Sequence, residues 1–309
     1  MKSKVTVIGA GNVGATCAQR VAQGGYADVV LLDIVEGMPQ GKAIDMMHSH
    51  PIVGSSRSIV GTNSYDDTAG SDVVVITSGS PRKPGMSRDD LVAVNSAVMN
   101  SVVPQVLKHS PDCILIVVTN PLDAMVYLVL KISGLPSSRV MGMSGVLDTG
   151  RFRSIIAAHL DVSVQDVHAC ILGAHGDTMV IMPRLSTVGG VPLTQLLSKQ
   201  EIDKLVDRSV KSGAEVVSLL KTGSAFYAPG IAAAQMAESI VLDSKRILPV
   251  CAYLDGQFGL SDIYLGVPAK IGADGVEKVL EFELTDEEKL ALDKSAESVR
   301  ELIAKLDLS

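Results

Sequence analysis

The chain of 309 residues is long enough for two domains or for one large α/β unit. Apolar residues make up 47% and charged residues 20%, which is the ordinary balance of a globular protein. The formal net charge of −7 argues against a nucleic-acid binder, because such proteins need a basic face.

No segment of the sequence is typical of a membrane or secreted protein. The basic start, MKSK, is followed by an apolar run that soon breaks into glycines, so we expect no signal peptide. No uninterrupted apolar stretch approaches the length of a membrane span. The cysteines are widely scattered and form no CxxC pair: Cys17, Cys113, Cys170 and Cys251. We therefore expect a cytoplasmic protein with reduced thiols, no membrane partner and no metal site.

The first half of the chain alternates short apolar runs with helical patterns. The runs are unbroken apolar strings, typical of strands buried on both faces of a parallel sheet: 5–8, 29–32, 73–77, 113–119 and 139–143. Helical patterns lie between them: 12–24, 39–48, 88–108 and 121–133. This alternation predicts a doubly wound parallel sheet, a Rossmann domain, over residues 1–144.

The second half has a different pattern and predicts an α+β domain over residues 145–309. Its predicted helices and strands follow in chain order: helix 148–160, strands 167–172 and 179–187, helices 200–221 and 228–245, strands 247–255, 262–271 and 276–283, and helix 285–307. Thr285 and Glu288 have the spacing of a capping box at the start of the last helix. No Gly/Ser-rich linker separates the halves, so we expect them to pack tightly together.

Residues 5–14, VTVIGAGNVG, contain a G-x-G-x-x-G motif between a predicted strand and a predicted helix. Gly9 would permit a tight turn, Gly11 would let the backbone approach a pyrophosphate, and Gly14 would let helix and strand pack closely. Asp33 ends the next strand; its carboxylate would accept hydrogen bonds from an adenosine ribose and repel a 2′-phosphate. The motif therefore favours NAD over NADP, although a glycine turn that binds nothing is the structural alternative.

Three further motifs carry polar residues, and the first follows a strand whose carboxyl end would face the ligand crevice of the parallel sheet. Asn120 follows the fourth strand, although Asn-Pro could simply form a turn. Asp148 and Arg151 share one face of a helix start. The structural alternative is that they form a salt bridge there with no functional role. His175 is flanked by glycines at a strand end, in LGAHGD. The other histidines are interpreted as structural, since the HxH of 48–50 has no nearby third metal ligand.

Residues 78–91, SGSPRKPGMSRDDL, form a loop rich in proline, glycine and serine. The loop nevertheless carries Arg82 and Arg88 six positions apart, with Lys83 between them. Taken alone, these cations would indicate a solvated basic turn at the surface.

The motifs together resemble the lactate/malate dehydrogenase family, and the similarity covers essentially the whole chain. They fall in the family's order and at its spacings: GAGNVG, LLDI, SGSPRKPGMSRDDL, VTNPLD, LDTGRFR, LGAHGD, GSAFYAPG and FGLSDIYLGVPAKIG. The GAGNVG form resembles the branch that is similar to lactate dehydrogenases.

The resemblance implies an NAD-dependent oxidoreductase and gives each polar residue a role. His175 would donate and accept the proton, and Asp148 would orient its ring. Arg151 would clamp the substrate's C1 carboxylate, Asn120 would hydrogen-bond the reacting oxygen or the histidine side, and Arg88 would polarise the carbonyl. The cofactor contacts implied are Gly9, Ala10, Gly11, Asn12, Val13, Gly14, Asp33, Asn95, Val118, Thr119 and Asn120.

Arg82 occupies the family's specificity position and favours a dicarboxylate, malate or oxaloacetate, over lactate or pyruvate. A loop closing on pyruvate would leave the Arg82 charge unpaired beside a methyl group, at a cost of several kcal/mol. A lactate or broad 2-hydroxyacid dehydrogenase is the alternative, and a nucleotide-binding regulator without chemistry is a third possibility. Proteins of this branch are commonly dimers or tetramers, and we expect a homotetramer; the apolar segment 230–242 could be either interface or core.

Overall fold

The computed structural model describes residues 3–81 and 88–307, apart from the side chain of Arg88. Parallel strands build the first half of this described chain: β1 Lys4–Ile8, β2 Asp28–Leu32, β3 Ile59–Thr62, β4 Val73–Ile76, β5 Ile114–Val117 and β6 Val140–Gly142. Helices lie between or after them: α1 Asn12–Gln23, α2 Met38–Val53, α3 Arg88–His109, α4 Leu122–Ser133 and α5 Gly145–Leu160. The predicted doubly wound sheet is confirmed.

One strand of the sheet, β3, was missed by the sequence prediction. Its four residues pair in parallel with β2, but they show no unbroken apolar run, because Val60 is 46% exposed and Gly61 follows it. A side chain at Gly61 would collide with the carbonyl oxygen of Pro39, so the packing of α2 against this edge explains the glycine.

Short strands follow α5: β7 Val167–His168, β8 Ile171–Leu172, β9 Val180–Ile181, β10 Thr187–Val188 and β11 Val191–Pro192. The two segments of the predicted strand pair, 167–172 and 179–187, do pair with each other, but each is broken into two short strands. β8 pairs with β9, whereas β7 pairs with β10 in a separate small sheet. Pro183 opens a 3₁₀ turn over Pro183–Leu185 and ends any longer strand, because proline cannot donate a ladder hydrogen bond.

The remaining elements agree with the predicted α+β half: α6 Leu193–Leu196, α7 Lys199–Leu220, α8 Tyr227–Val241, β12 Arg246–Asp255, β13 Ser261–Gly272, β14 Gly275–Val279 and α9 Asp286–Ile303. Thr285 and Glu288 form the predicted capping box at the start of α9. No helix in the described ranges has the length and apolar character needed to span a bilayer.

The two halves share one sheet. Over the described residues its strand order is β14-β13-β12-β6-β5-β4-β1-β2-β3, and β12 joins β6 through the pairing of Cys251 with Gly142. A side chain at Gly142 would meet Val126 and Cys251, so close packing continues across this junction. The division of the chain into residues 1–144 and 145–309 remains a prediction about domains, because the sheet itself runs through it.

The sheet has an apolar core on each face. Along β4, Val73 and Val75 pack with α1 and α8 residues, while Val74 and Ile76 pack with residues of α3 and α4. Successive strand residues point to opposite faces, so both sets must be apolar when helices cover both sides. This burial explains the unbroken apolar runs of the sequence and leaves the carboxyl ends of the parallel strands as the place for polar loops.

Candidate active site

The glycine motif forms the turn from β1 into α1. Gly9 has a φ of +101°, and a Cβ on Gly14 would lie 1.8 Å from the Gly9 carbonyl oxygen. Gly11 precedes α1, and a Cβ built there meets nothing within 4 Å. No side chain caps α1 and its first turn, which includes Asn12 and Val13, has no acidic residue, so its end can receive an anion.

Ala10, in the middle of this turn, is held at both of its polar backbone groups. Its N–H donates to Asp33 Oδ2 at 2.6 Å, and its carbonyl accepts from Lys42 Nζ at 2.7 Å. Asp33 Oδ1 accepts a further hydrogen bond from the N–H of Val35 at 2.9 Å. Asp33 therefore links the turn to the strand end where an adenosine ribose would bind. No motif in the sequence singled out Lys42, a solitary lysine on α2.

Strand β4 ends beside this turn and β5 ends beside β4, and a threonine after each strand holds these ends together. Thr77, after β4, donates to the carbonyls of Ile8 and Gly9 at 3.0 and 3.1 Å. Thr119, after β5, is buried with Val118 and donates to the Ser78 carbonyl at 2.6 Å. The predicted cofactor-binding segments are thus collected at one edge of the sheet.

Asn95 lies here too, and its side chain is hydrogen-bonded to two neighbouring loops. It is fully buried; its oxygen accepts from Ser80 N–H at 2.7 Å and its amide donates to the Ser80 and Asn120 carbonyls at 3.2 and 2.6 Å. The Asn95 side chain therefore ties two loops together, and its contact with the cofactor remains a prediction. Asn120 itself is exposed at the strand end, as a ligand contact requires.

His175 and Asp148 form a closely bonded pair. Asp148 Oδ2 lies 2.8 Å from His175 Nδ1, and Asp148 Oδ1 lies 3.4 Å from Arg151 Nη1. The Asp148 side chain is 4% exposed, whereas those of His175 and Arg151 are 14% and 21% exposed. The Asp148 carboxylate is thus buried, while His175 and Arg151 remain partly exposed. Because Nδ1 of His175 is bonded to Asp148, Nε2 is the ring nitrogen left for proton exchange.

The charges around His175 favour its imidazolium form. Burial alone would lower the pKa of His175, but the carboxylates of Asp148 and Asp123 outweigh burial and raise this pKa above 6.5, against an opposing effect of Arg151. A proton on His175 is therefore available near neutral pH, as a general acid requires.

The chain around His175 is fixed by three different elements. The N–H groups of Gly173, Ala174 and His175 donate in turn to the Gly266 carbonyl, Ser295 Oγ and Asp123 Oδ2, at 2.9, 2.8 and 3.0 Å. Gly266 belongs to β13, Ser295 to α9 and Asp123 to α4. Sequence reasoning identified neither Ser295 nor Asp123. A lone acid in the apolar stretch LDAMVYLVL could have drawn attention to Asp123.

Arg82 lies outside the described residues, and of Arg88 only the main chain, at the start of α3, is described. Their predicted roles at the substrate remain predictions. Among the described residues, no group of three or more histidine, cysteine, aspartate or glutamate side chains could hold a metal ion.

The chain belongs to the lactate/malate dehydrogenase family. The family's NAD-binding domain matches residues 3–142 and its α/β C-terminal domain matches residues 145–307. A malate dehydrogenase of Thermomicrobium roseum is 55% identical over 303 residues, which cover 98% of each chain. The glycine turn and the uncapped start of α1 fit an NAD pyrophosphate, because they provide open space and free N–H groups together.

Solved structures of two kinds of enzyme share this fold. Malate dehydrogenase from Salinibacter ruber has a TM-score of 0.94 at 53% identity, covering 98% of this chain and 97% of that one. Lactate dehydrogenase from Cryptosporidium parvum, solved with lactic acid and NAD, has a TM-score of 0.95 at 43% identity, covering 98% of each chain. The backbone is common to enzymes named for different substrates, so side chains must decide between substrates.

Two alanine substitutions separate the packing and binding roles of the glycine turn. Gly14→Ala should destabilise the cofactor-free protein by about 1–3 kcal/mol, because its methyl group would overlap the Gly9 carbonyl. Gly11→Ala, with φ at −63° and open space around Cβ, should leave that stability nearly unchanged but weaken NADH binding about tenfold or more. Thermal unfolding without cofactor and calorimetric titration with NADH measure both effects. Wild-type NADH affinity in Gly11→Ala would contradict this assignment.

Proposed function

We propose that the protein is an NAD-dependent malate dehydrogenase, which interconverts (S)-malate and oxaloacetate. The supporting observation is the 2.8 Å contact of His175 with Asp148, beside Arg151 and near a strand edge built for a dinucleotide. Relatives at 50–55% identity over nearly the whole chain, such as that of Thermomicrobium roseum, carry the same name.

The proton transfer is assigned to His175. When oxaloacetate is reduced, protonated Nε2 of His175 donates to the C2 oxygen; when malate is oxidised, neutral Nε2 takes the proton back. Asp148 holds Nδ1, fixes the orientation of the ring and stabilises its positive charge. Bound NADH supplies the hydride that C2 receives, and NAD⁺ accepts it in the reverse direction.

Substrate orientation is assigned to the cations and the amide at the same edge. Arg151, with its guanidinium partly exposed, would hold the C1 carboxylate in a fork of two hydrogen bonds. Arg88 would stabilise the negative charge that develops on the C2 oxygen, and Asn120 would hydrogen-bond that oxygen or the histidine side. These roles rest on the family resemblance together with the position of each residue along the chain.

Substrate choice is assigned to Arg82. Its positive charge would pair with the C4 carboxylate of oxaloacetate, which pyruvate lacks. Enclosing an arginine without that partner costs several kcal/mol. With a monocarboxylate, both the closing of the loop and the hydride transfer should therefore be disfavoured.

The substrate proposal is tested by kcat/KM for oxaloacetate and for pyruvate, with NADH. We expect oxaloacetate to be preferred by about 10³-fold or more, and Arg82→Gln to reduce that ratio by about 10²-fold. Lys83→Gln, which removes the same charge from the next position, is the matched control and should leave the ratio nearly unchanged. Preference of the wild type for pyruvate would make it a lactate dehydrogenase, and equal effects of both variants would remove Arg82 from its role.

We further propose a cytoplasmic homotetramer. The segment 230–242 lies mainly in the core of its own chain, where Tyr26 donates to the Ala234 carbonyl at 2.9 Å. Large apolar side chains nevertheless remain exposed on α2 and α8, among them Ile44, Ile52 and Tyr227. Such side chains on two helices are typical of a surface that a second subunit covers.

Sedimentation equilibrium at the micromolar concentrations of the assay tests the assembly. We expect a mass near four times the 32.4 kDa of the chain. A dimer or a monomer at those concentrations would contradict the proposed tetramer.

A further inference from the structure

Asp123 is a buried acid near the start of an otherwise apolar helix. It is the second residue of α4, and its neighbours Leu122, Ala124 and Met125 are all buried. Aspartate in a first helical turn usually faces solvent and interacts with the helix dipole. Asp123 is only 5% exposed, so its position requires specific partners inside the protein.

Its two carboxylate oxygens have separate partners. Oδ2 accepts the backbone N–H of His175 at 3.0 Å, and Oδ1 accepts from the thiol of Cys251 at 3.3 Å. Cys251 lies fully buried on β12, at the junction with β6. Burial and the nearby Asp123 charge raise the pKa of the Cys251 thiol well above its ordinary value, so the thiol stays protonated and can donate.

His175 therefore contacts two carboxylates that act on different parts of it. Asp148, from α5, holds the imidazole at Nδ1, while Asp123, from α4, holds the main chain. Arg151, also from α5, places a positive charge near His175 and opposes its protonation. Cys251, from β12, affects His175 only indirectly, through its hydrogen bond to Asp123.

Asp123 and His175 also affect each other's protonation. Burial raises the pKa of Asp123, and the hydrogen bond from His175 and its positive charge oppose that rise. The negative charge of Asp123 in turn contributes to the raised pKa of His175. A carboxylate and an imidazolium in this arrangement stabilise each other at low local dielectric.

We propose that Asp123 is a positioning residue for proton transfer: its carboxylate fixes the main chain of His175 and places a second negative charge near the imidazole. This inference rests on the proposed function, in which His175 transfers the proton. It extends that function, because the acid that orients the ring, Asp148, then supplies only part of the charge that stabilises the protonated state.

The variant Asp123→Asn tests the charge, since its amide keeps an oxygen for the His175 N–H. We expect His175 in the free enzyme to titrate about 0.5–1 pH unit lower, measured by NMR of its ring protons and assigned with His175→Gln. In oxaloacetate reduction, kcat/KM declines as the pH rises, and the midpoint of that decline should shift to lower pH by the same amount. The loss should therefore be about three- to tenfold at alkaline pH and smallest at acid pH.

Two matched variants separate charge from placement. Asp123→Glu keeps the charge but lengthens the side chain, so activity should fall at every pH while the pH of the decline stays in place. Asp262→Asn removes a carboxylate that accepts from Tyr127 and Tyr253, each at 2.9 Å, and should leave the titration of His175 unchanged. A folded Asp123→Asn protein with the wild-type titration of His175 would overturn the proposal.

The proposal can fail independently of the assigned substrate. If the wild type did not reduce oxaloacetate, the proposed function would fall, while the NMR titration in the free enzyme would still test Asp123. If Asp123→Asn did not fold, Cys251→Ala would serve, because losing the thiol donor raises the pKa of Asp123 further and so reduces the negative charge beside His175. Its His175 should titrate slightly lower, and an unchanged or higher value would overturn the proposal.

Discussion

The 2.8 Å hydrogen bond between Asp148 and His175 is the interaction on which the rest of the site depends. It joins the first turn of α5 to the loop after β8, two segments with no common strand. A buried carboxylate needs a partner, and an imidazole needs a nearby anion to stay protonated close to neutral pH. Each group thus satisfies the other's requirement, and the pair places a proton beside the edge of the sheet that receives the cofactor.

The continuous sheet explains how the two segments are held in place. β12 and β13 extend the parallel sheet, and β13 then binds Gly173 through a pair of 2.9 Å backbone hydrogen bonds. The next two N–H groups are held by Ser295 and Asp123, so the loop that carries His175 has little freedom. Proton transfer requires such fixed geometry, because small displacements of a general acid reduce the rate strongly.

Local patterns allowed much of this arrangement to be predicted from the sequence. The turn at Gly9 and the capping box at Thr285 depend on neighbouring residues, and both are present as predicted. The side-chain partners of Asn95 and Asp123 were not predictable, because they depend on loops and strands distant in the chain. The strands over 167–187 were predicted too long, since apolar residues there serve two small sheets. Tertiary pairing, which no local window contains, decides such positions.

The most direct test of the His175–Asp148 pair is the pH dependence of kcat/KM for oxaloacetate reduction, compared between the wild type and Asp148→Asn. We predict that the wild-type value is constant at low pH and declines only above a pKa higher than 6.5. In Asp148→Asn the value should fall by about 10²- to 10⁴-fold and its decline should move to lower pH. A wild-type decline centred below pH 6.5, or an unmoved decline in the variant, would contradict the assignment of His175 as a proton donor held by Asp148.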